Sequence, residues 1–248
     1  MRTNILSYAV FSTVIASIAG VLNTSSFAAS FQQHAQQHGG QIYQLTTIES
    51  KWLQSQSGAA KLQSDWETWV GSDVNKVFFR ASVDKPESQD ADYSTELLYS
   101  RNIADFWDVQ AGLRYRHTAD QPEQQNQVDA VLGLYGMAPY FFETKAYLYA
   151  SKDQQWSMSL HSERDLLLTQ KLIVQPYFDL GVVLSDESKY AQETGLSHIA
   201  AGLETRYEVS KKIMPFVDIS YQYQQGRAET PWQVTTPSDQ DWFYGAGL

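Results

Sequence analysis

Residues 106–117 read FWDVQAGLRYRH, and their polarity alternates. Trp107, Val109, Ala111, Leu113 and Tyr115 are apolar, while Asp108, Gln110, Gly112, Arg114 and Arg116 are polar or small. Successive side chains of a strand point to opposite faces, so this segment has one oily face and one charged face. The pattern recurs through most of the chain, with Trp and Tyr near the ends of the apolar face. Strands of about ten residues, apolar outward and polar inward with aromatic ends, are the mark of an outer-membrane β-barrel.

Ten strand candidates follow, at residues 70–83, 93–103, 106–117, 127–137, 141–150, 155–167, 172–184, 196–209, 213–225 and 241–248. The first alternates poorly. The seventh is clear, with Leu172, Val174, Phe178, Leu180, Val182 and Leu184 on one side. Connections after the even candidates are tight, at residues 104–105, 138–140, 168–171 and 210–212. Those after the odd ones are mostly longer and polar, at 84–92, 118–126, 185–195 and 226–240, with 151–154 the short exception. Short periplasmic turns, longer outer loops and an even strand number are how bacterial barrels are built. In lipid every backbone donor and acceptor must be paired within the protein, so the sheet has to close. The expectation is an all-β, transmembrane, antiparallel up-and-down β-barrel of about ten strands, with a largely disordered N-terminal extension.

The N-terminus reads as a targeting segment: Arg2 supplies charge, residues 5–22 are apolar, and Ser26-Phe27-Ala28 offers the small residues a signal peptidase requires. The expected organisation is a signal peptide over 1–28, a flexible periplasmic extension over 29–65 and the barrel over 66–248. Residues 30–65 are rich in Gln and Ser, which gives little core, and a short helix is expected over 42–53. His34 and His38 are four apart. On a helix they would share a face and could capture a metal, and in a solvated tail they would do nothing.

Composition narrows the function. The chain has 248 residues, enough for one barrel, and a net charge of −10 that disfavours nucleic acid and suits cations. It has no cysteine, which removes disulfides, thiolate metal sites and cysteine nucleophiles. If the apolar faces meet lipid, Arg114, Arg116, Asp129, Glu143, Lys145, Tyr147, Tyr149, His161, Glu163, Asp165, Asp179, His198, Glu204, Arg206 and Asp218 line the lumen. Eight strands give an interior just filled by side chains and sixteen leave a channel, so about ten strands lie near the filled end.

Two readings of these residues stand side by side. One is a network of charges that satisfy one another, since buried charges must be paired. The other is a cation site built from His161 and His198 with Glu163, Asp165 and Asp179 nearby and Met137 joining them, and copper is the metal best matched to imidazole and thioether donors. Met158 has the opposite parity to His161 and is expected to face lipid, and His117 ends its strand at the outer rim.

Residues 95–115, TELLYSRNIADFWDVQAGLRY, resemble the copper-resistance protein B family of Gram-negative outer membranes. The likeness extends to GMAPYFFE at 136–143, DLLLTQKLIVQP at 165–176 and GLETRY at 202–207, in order and at similar spacing. The resemblance implies an outer-membrane barrel that binds copper ions, exports them, or both, and that has no enzymatic activity. Its implied partners are copper, as a ligand rather than a catalytic cofactor, outer-membrane lipid, and a periplasmic copper oxidase or copper carrier. Family members often carry a Met- and His-rich segment before the barrel. Here no methionine lies between Met1 and Met137, and only His34 and His38 remain. Two alternatives stay open: a structural or adhesive barrel with acidic loops, and an omptin-like barrel enzyme.

Overall fold

In the computed structural model the described residues are 41–248. The expected signal peptide, and the candidate ligands His34 and His38, lie outside them.

The described chain is one antiparallel sheet of thirteen segments in the order β11-β12-β13-β1-β2-β3-β4-β5-β6-β7-β8-β10-β9, closed by β10 pairing with β11. The strands are β1 Tyr43–Ser55, β2 Ala60–Gly71, β3 Asn75–Pro86, β4 Asp92–Ala104, β5 Trp107–His117, β6 Asn126–Ala138, β7 Phe142–Ala150, β8 Trp156–Glu163, β9 Leu166–Leu167, β10 Leu172–Ser185, β11 Gly195–Tyr207, β12 Phe216–Gln224 and β13 Asp239–Gly247. β8 and β9 are two parts of one stave. Both pair with β10 in a continuous register, from Tyr177 opposite Glu163 to Val174 opposite Leu166. The ladder lapses between them because Pro176 stands opposite Arg164: the Arg164 amide donates to the Pro176 carbonyl at 3.2 Å, but proline has no N–H to return the bond. The barrel therefore has twelve staves.

Two staves more than expected come from residues assigned to the extension. β1 and β2 form a hairpin over the segment expected as a helix and a mobile linker, so the barrel begins at Tyr43 rather than at residue 66. The alternation in β1 is masked because apolar Leu53 is fully buried inside the sheet while Ile48 and Trp52 stay exposed on the other face beside polar Gln54. The first candidate strand, 70–83, in fact runs through the turn at residues 72–74, where the phase resets between β2 and β3. Adding a whole hairpin preserves parity. The short turns still share one end of the barrel, and the start of β1 and the end of β13 lie there too.

Outward positions carry the apolar belt: Leu97, Leu113, Leu132, Leu134, Val217 and Ile219 are exposed. Phe106, Tyr140 and Phe141 sit exposed at the tips of two short turns, each with positive φ (67°, 65° and 63°). Inward positions on β3, β4, β6 and β7 build a packed cluster of Phe78, Leu98, Val131, Tyr147 and Tyr149, with Trp69 and Tyr135 against it.

At the opposite end the long loops interlock. Arg227 pairs with Asp120, Lys189 pairs with Glu123 at 3.1 Å, and Thr230 donates to the Lys189 carbonyl at 2.6 Å. Tyr190 and Ser188 are buried between these loops. The Asp186 carboxylate accepts from the Ser188 and Gln192 amides and from Gln155.

The β1–β2 hairpin bridges the gap between β13 and β3, β1 pairing with the first and β2 with the second. Deleting residues 43–71 is expected to abolish the compact, heat-modifiable species on unboiled gels, because β13 and β3 would be left as open edges.

Candidate functional site in the barrel lumen

The interior is organised by chords of charge that cross between staves. Arg80 on β3 is the hub. Its Nε donates to Glu67 at 2.7 Å, one Nη donates to the Tyr147 hydroxyl at 2.7 Å, and Glu96 lies 3.7 Å away. The Tyr147 hydroxyl donates in turn to Gln110 at 2.5 Å. Lys145 on β7 reaches Glu143 at 3.4 Å and, across the lumen, Glu67 on β2 at 3.9 Å. A second group holds Asp108, which accepts from Lys76 at 2.7 Å, Ser100 at 3.0 Å and Asn102 at 3.0 Å. A third has Arg114 and Arg116 on the fully buried Asp129 at 2.6 and 3.2 Å, with the Arg114 guanidinium 3.6 Å from the Tyr149 ring centre. A carboxylate inside a protein is tolerated only with such partners, because the cost of leaving water otherwise dominates.

On the other side of the lumen, Asp218 of β12 receives two contacts. Lys51 comes within 3.5 Å and the Tyr177 hydroxyl donates at 3.0 Å. Tyr177 can lie across β11 because residue 202 is glycine: a Cβ there would stand 2.4 Å from Tyr177 Cζ. Arg206 pairs with Glu204 on its own stave and with Glu49 of β1 at 3.1 Å. At the loop end, a cavity of about 250 Å³ is lined by Gln63, Asp84, Asp92 and Arg116 among others.

The expected metal ligands among the described residues fall in four separate places. His161 is held between two carboxylates: its Nδ1 lies 2.5 Å from Asp179 on β10, and its Nε2 lies 3.2 Å from Glu163 on its own stave. These three sit together because β8 and β10 pair with His161 directly opposite Asp179. His198 faces the lumen one stave further on, opposite Gly181, and is not one of the two groups on His161. Asp165 falls in the gap between β8 and β9, exposed and outside the ladder. Met137 lies opposite Glu143 at the short-turn rim, 40% exposed, and Met158 is exposed on the outward face. Among the described residues no group of three or more acidic or imidazole side chains is disposed to hold a metal ion. The reason at His161 is visible in its geometry: the two carboxylates address opposite edges of the ring instead of converging on one point.

The hub residue Arg80 was absent from the expected lumen set, as were Glu67, Lys51, Lys76 and Tyr177. Lys51 and Glu67 lie on the unrecognised hairpin, and Arg80 lies on the candidate strand whose phase is broken by the 72–74 turn. Within β3 itself the signal is present, since Lys76, Arg80 and Asp84 alternate with Val77, Ala81 and Val83.

A family model described as Copper resistance protein B precursor (CopB) matches residues 43–248. The chain belongs to the copper resistance protein B family. The match begins at Tyr43, the first residue of β1. The copper resistance protein B of Escherichia coli is 24% identical over 190 residues, which is 77% of this chain and 63% of that protein. A copper resistance protein B homolog of Pseudomonas syringae pv. tomato is 27% identical over 177 residues, 71% of this chain and 58% of its own length. The matched part of the chain thus spans about three-fifths of these relatives. Among solved structures the NanC porin superposes with a TM-score of 0.53 at 10% identity, covering 81% of this chain and 98% of the porin. That likeness concerns the fold alone.

Removing the hub should expose its importance. Arg80→Ala strands Glu96 beside Tyr147 and leaves Glu67 to Lys145 alone; breaking a buried pair typically costs about 3–5 kcal/mol, and less where one partner keeps another cation. Urea unfolding in detergent, followed by Trp fluorescence, is expected to show a loss of that order.

Proposed function

We propose that this chain is an outer-membrane barrel of copper resistance, and that it meets copper in the lumen at the His161–Asp179 pair, a two-donor contact whose remaining coordination is left to water. Family membership supports the copper assignment, and the apolar outer wall of a closed barrel supports the membrane address. The observation that carries the site is the lumen imidazole with a carboxylate at each nitrogen.

The chemistry follows from what occupies that ring. With a carboxylate facing each nitrogen both ring nitrogens donate, so a metal ion entering between His161 and Asp179 would take the place of the Nδ1 hydrogen while Nε2 keeps its own. Binding therefore releases a proton and strengthens as pH rises. The donors are imidazole and carboxylate, and neither Met137 at the rim nor Met158 outside belongs to them. Soft thioether and thiolate ligands select the cuprous ion, so this donor set favours the cupric one. Met137 and Met214 both stand at the short-turn end, where copper would pass to or from a periplasmic copper carrier or copper oxidase. The proposal contains no catalytic step.

A strain lacking the gene should grow less well on copper and recover with the wild-type copy. His161→Gln should recover poorly while its heat-modifiable band persists, and His198→Gln should recover fully. Full rescue by His161→Gln would remove this site from the proposal. Calorimetric titration of the purified barrel with cupric ion in two buffers of different ionisation enthalpy should register proton release. Identical apparent enthalpies in both buffers would contradict the exchange at His161.

A further inference from the structure

The interior carboxylates divide into two populations. All face the lumen, yet Glu96, Asp108 and Asp129 on β4, β5 and β6 are only 12%, 7% and 1% exposed. Glu49, Glu67, Glu143, Glu163 and Asp179, on β1, β2, β7, β8 and β10, are 22–39% exposed. The boundary between the populations is physical. The Arg80–Tyr147 and Lys145–Glu67 contacts run from β2 and β3 to β7. Behind them lies the cluster of Phe78, Leu98, Val131, Tyr147 and Tyr149. At the level of this cluster the arc from β3 to β6 is therefore filled, the cavity beside Asp84 and Arg116 lying nearer the loop end, and mid-barrel water reaches the interior on the other side. Asp218 and Glu204 share that wetter wall but are buried, the first under Lys51 and Tyr177 and the second against Arg206.

We propose that the lumen is divided lengthwise, and that its wet half is a cation-selective conduit for small hydrated ions. Towards the loop end its wall is made small by Ser157, Ser159 and Gly181, which remain partly exposed. With Asp65, Glu204 and Asp218 added to those five carboxylates, eight stand on this wall against the cations Lys51, Lys61, Lys145 and Arg206 and the His161 ring. A low-dielectric wall lined by one sign of charge raises the local concentration of the opposite ion and repels its own. This inference concerns permeation of ions in general; it shares Glu163 and Asp179 with the copper contact and is read in the absence of copper.

Planar-bilayer recording of the full-length protein in a KCl gradient, without copper, tests it. Small discrete conductance steps are expected, with a reversal potential displaced towards that of potassium. The double variant Glu163→Gln/Asp179→Asn should move the reversal potential towards zero. The chain has no cysteine, so single thiols report the route cleanly. Ser159→Cys should lose current on treatment with a cationic methanethiosulfonate, whereas Ser100→Cys, on the filled side and fully buried, should be unaffected. Absence of conductance in the folded wild type, an anion-directed reversal potential, or equal block at both thiols would overturn the inference. None of these outcomes bears on copper tolerance, which the complementation experiment reads separately.

Discussion

A sheet immersed in hydrocarbon cannot leave an edge, and everything else in this molecule depends on that requirement being met at the seam between β1 and β13. Each unpaired N–H or C=O facing lipid would cost several kcal/mol, about what a whole domain has in reserve. The seam is the shortest of the main ladders described, with five residue pairs from Lys51 opposite Gly247 to Ser55 opposite Phe243. Ser50 and Leu248 extend it with reciprocal bonds of 2.9 and 3.0 Å, and the Gln56 amide reaches the Trp242 carbonyl at 2.8 Å. Its glycines make room for neighbours: a Cβ at Gly245 would lie 2.5 Å from Leu53 Cδ2, and one at Gly247 would lie 2.4 Å from Phe216 Cζ. A strand without side chains at these points lets large residues of the adjoining staves fill the interior behind it.

Closure in turn fixes what the interior has to be. Twelve staves enclose more space than a single layer of side chains fills from all sides, and here aromatic and aliphatic groups occupy one arc while ion pairs span the rest. Arg80 serves both regions. Its guanidinium lies over the Phe78 and Tyr147 rings, each 5.3 Å from the centroid, while its nitrogens hold Glu67 and Tyr147. Arginine suits such a position because a planar, weakly hydrated cation can stack and donate at once, which lysine cannot do. The polar side of the barrel, where His161 meets Asp179, is left to water and to whatever ion arrives there.

The pattern of the chain disclosed the barrel because staves such as β5, β10 and β12 alternate cleanly, and because turn lengths alternate independently of that. It concealed the first hairpin. In β1 an inward Leu53 and an outward Gln54 invert the expected polarity, so a seam strand packed against interior apolar groups reads as a featureless polar tail. Parity placed His161, His198, Glu163 and Asp179 on the inner face, since a period of two is all that requires. Pairing was beyond it. That Asp179 rather than Asp165 partners His161 depends on the register between β8 and β10 and on the lapse opposite Pro176, which no single strand reveals. The division of the interior was equally hidden, because Glu96 and Glu67 are alike in sequence and differ only in what stands behind them.

The interlocked outer loops set an order of events. Asp120 follows the fifth stave, while its partner Arg227 belongs to the connection before the last, 107 residues later. That bond cannot form until the C-terminal hairpin has reached its place, and the Lys189–Glu123 pair waits for β10 and β11. The outward-facing latch is consequently a timestamp of completed assembly: a chain still threading through the insertion machinery presents separate loops, and only a finished cylinder presents joined ones.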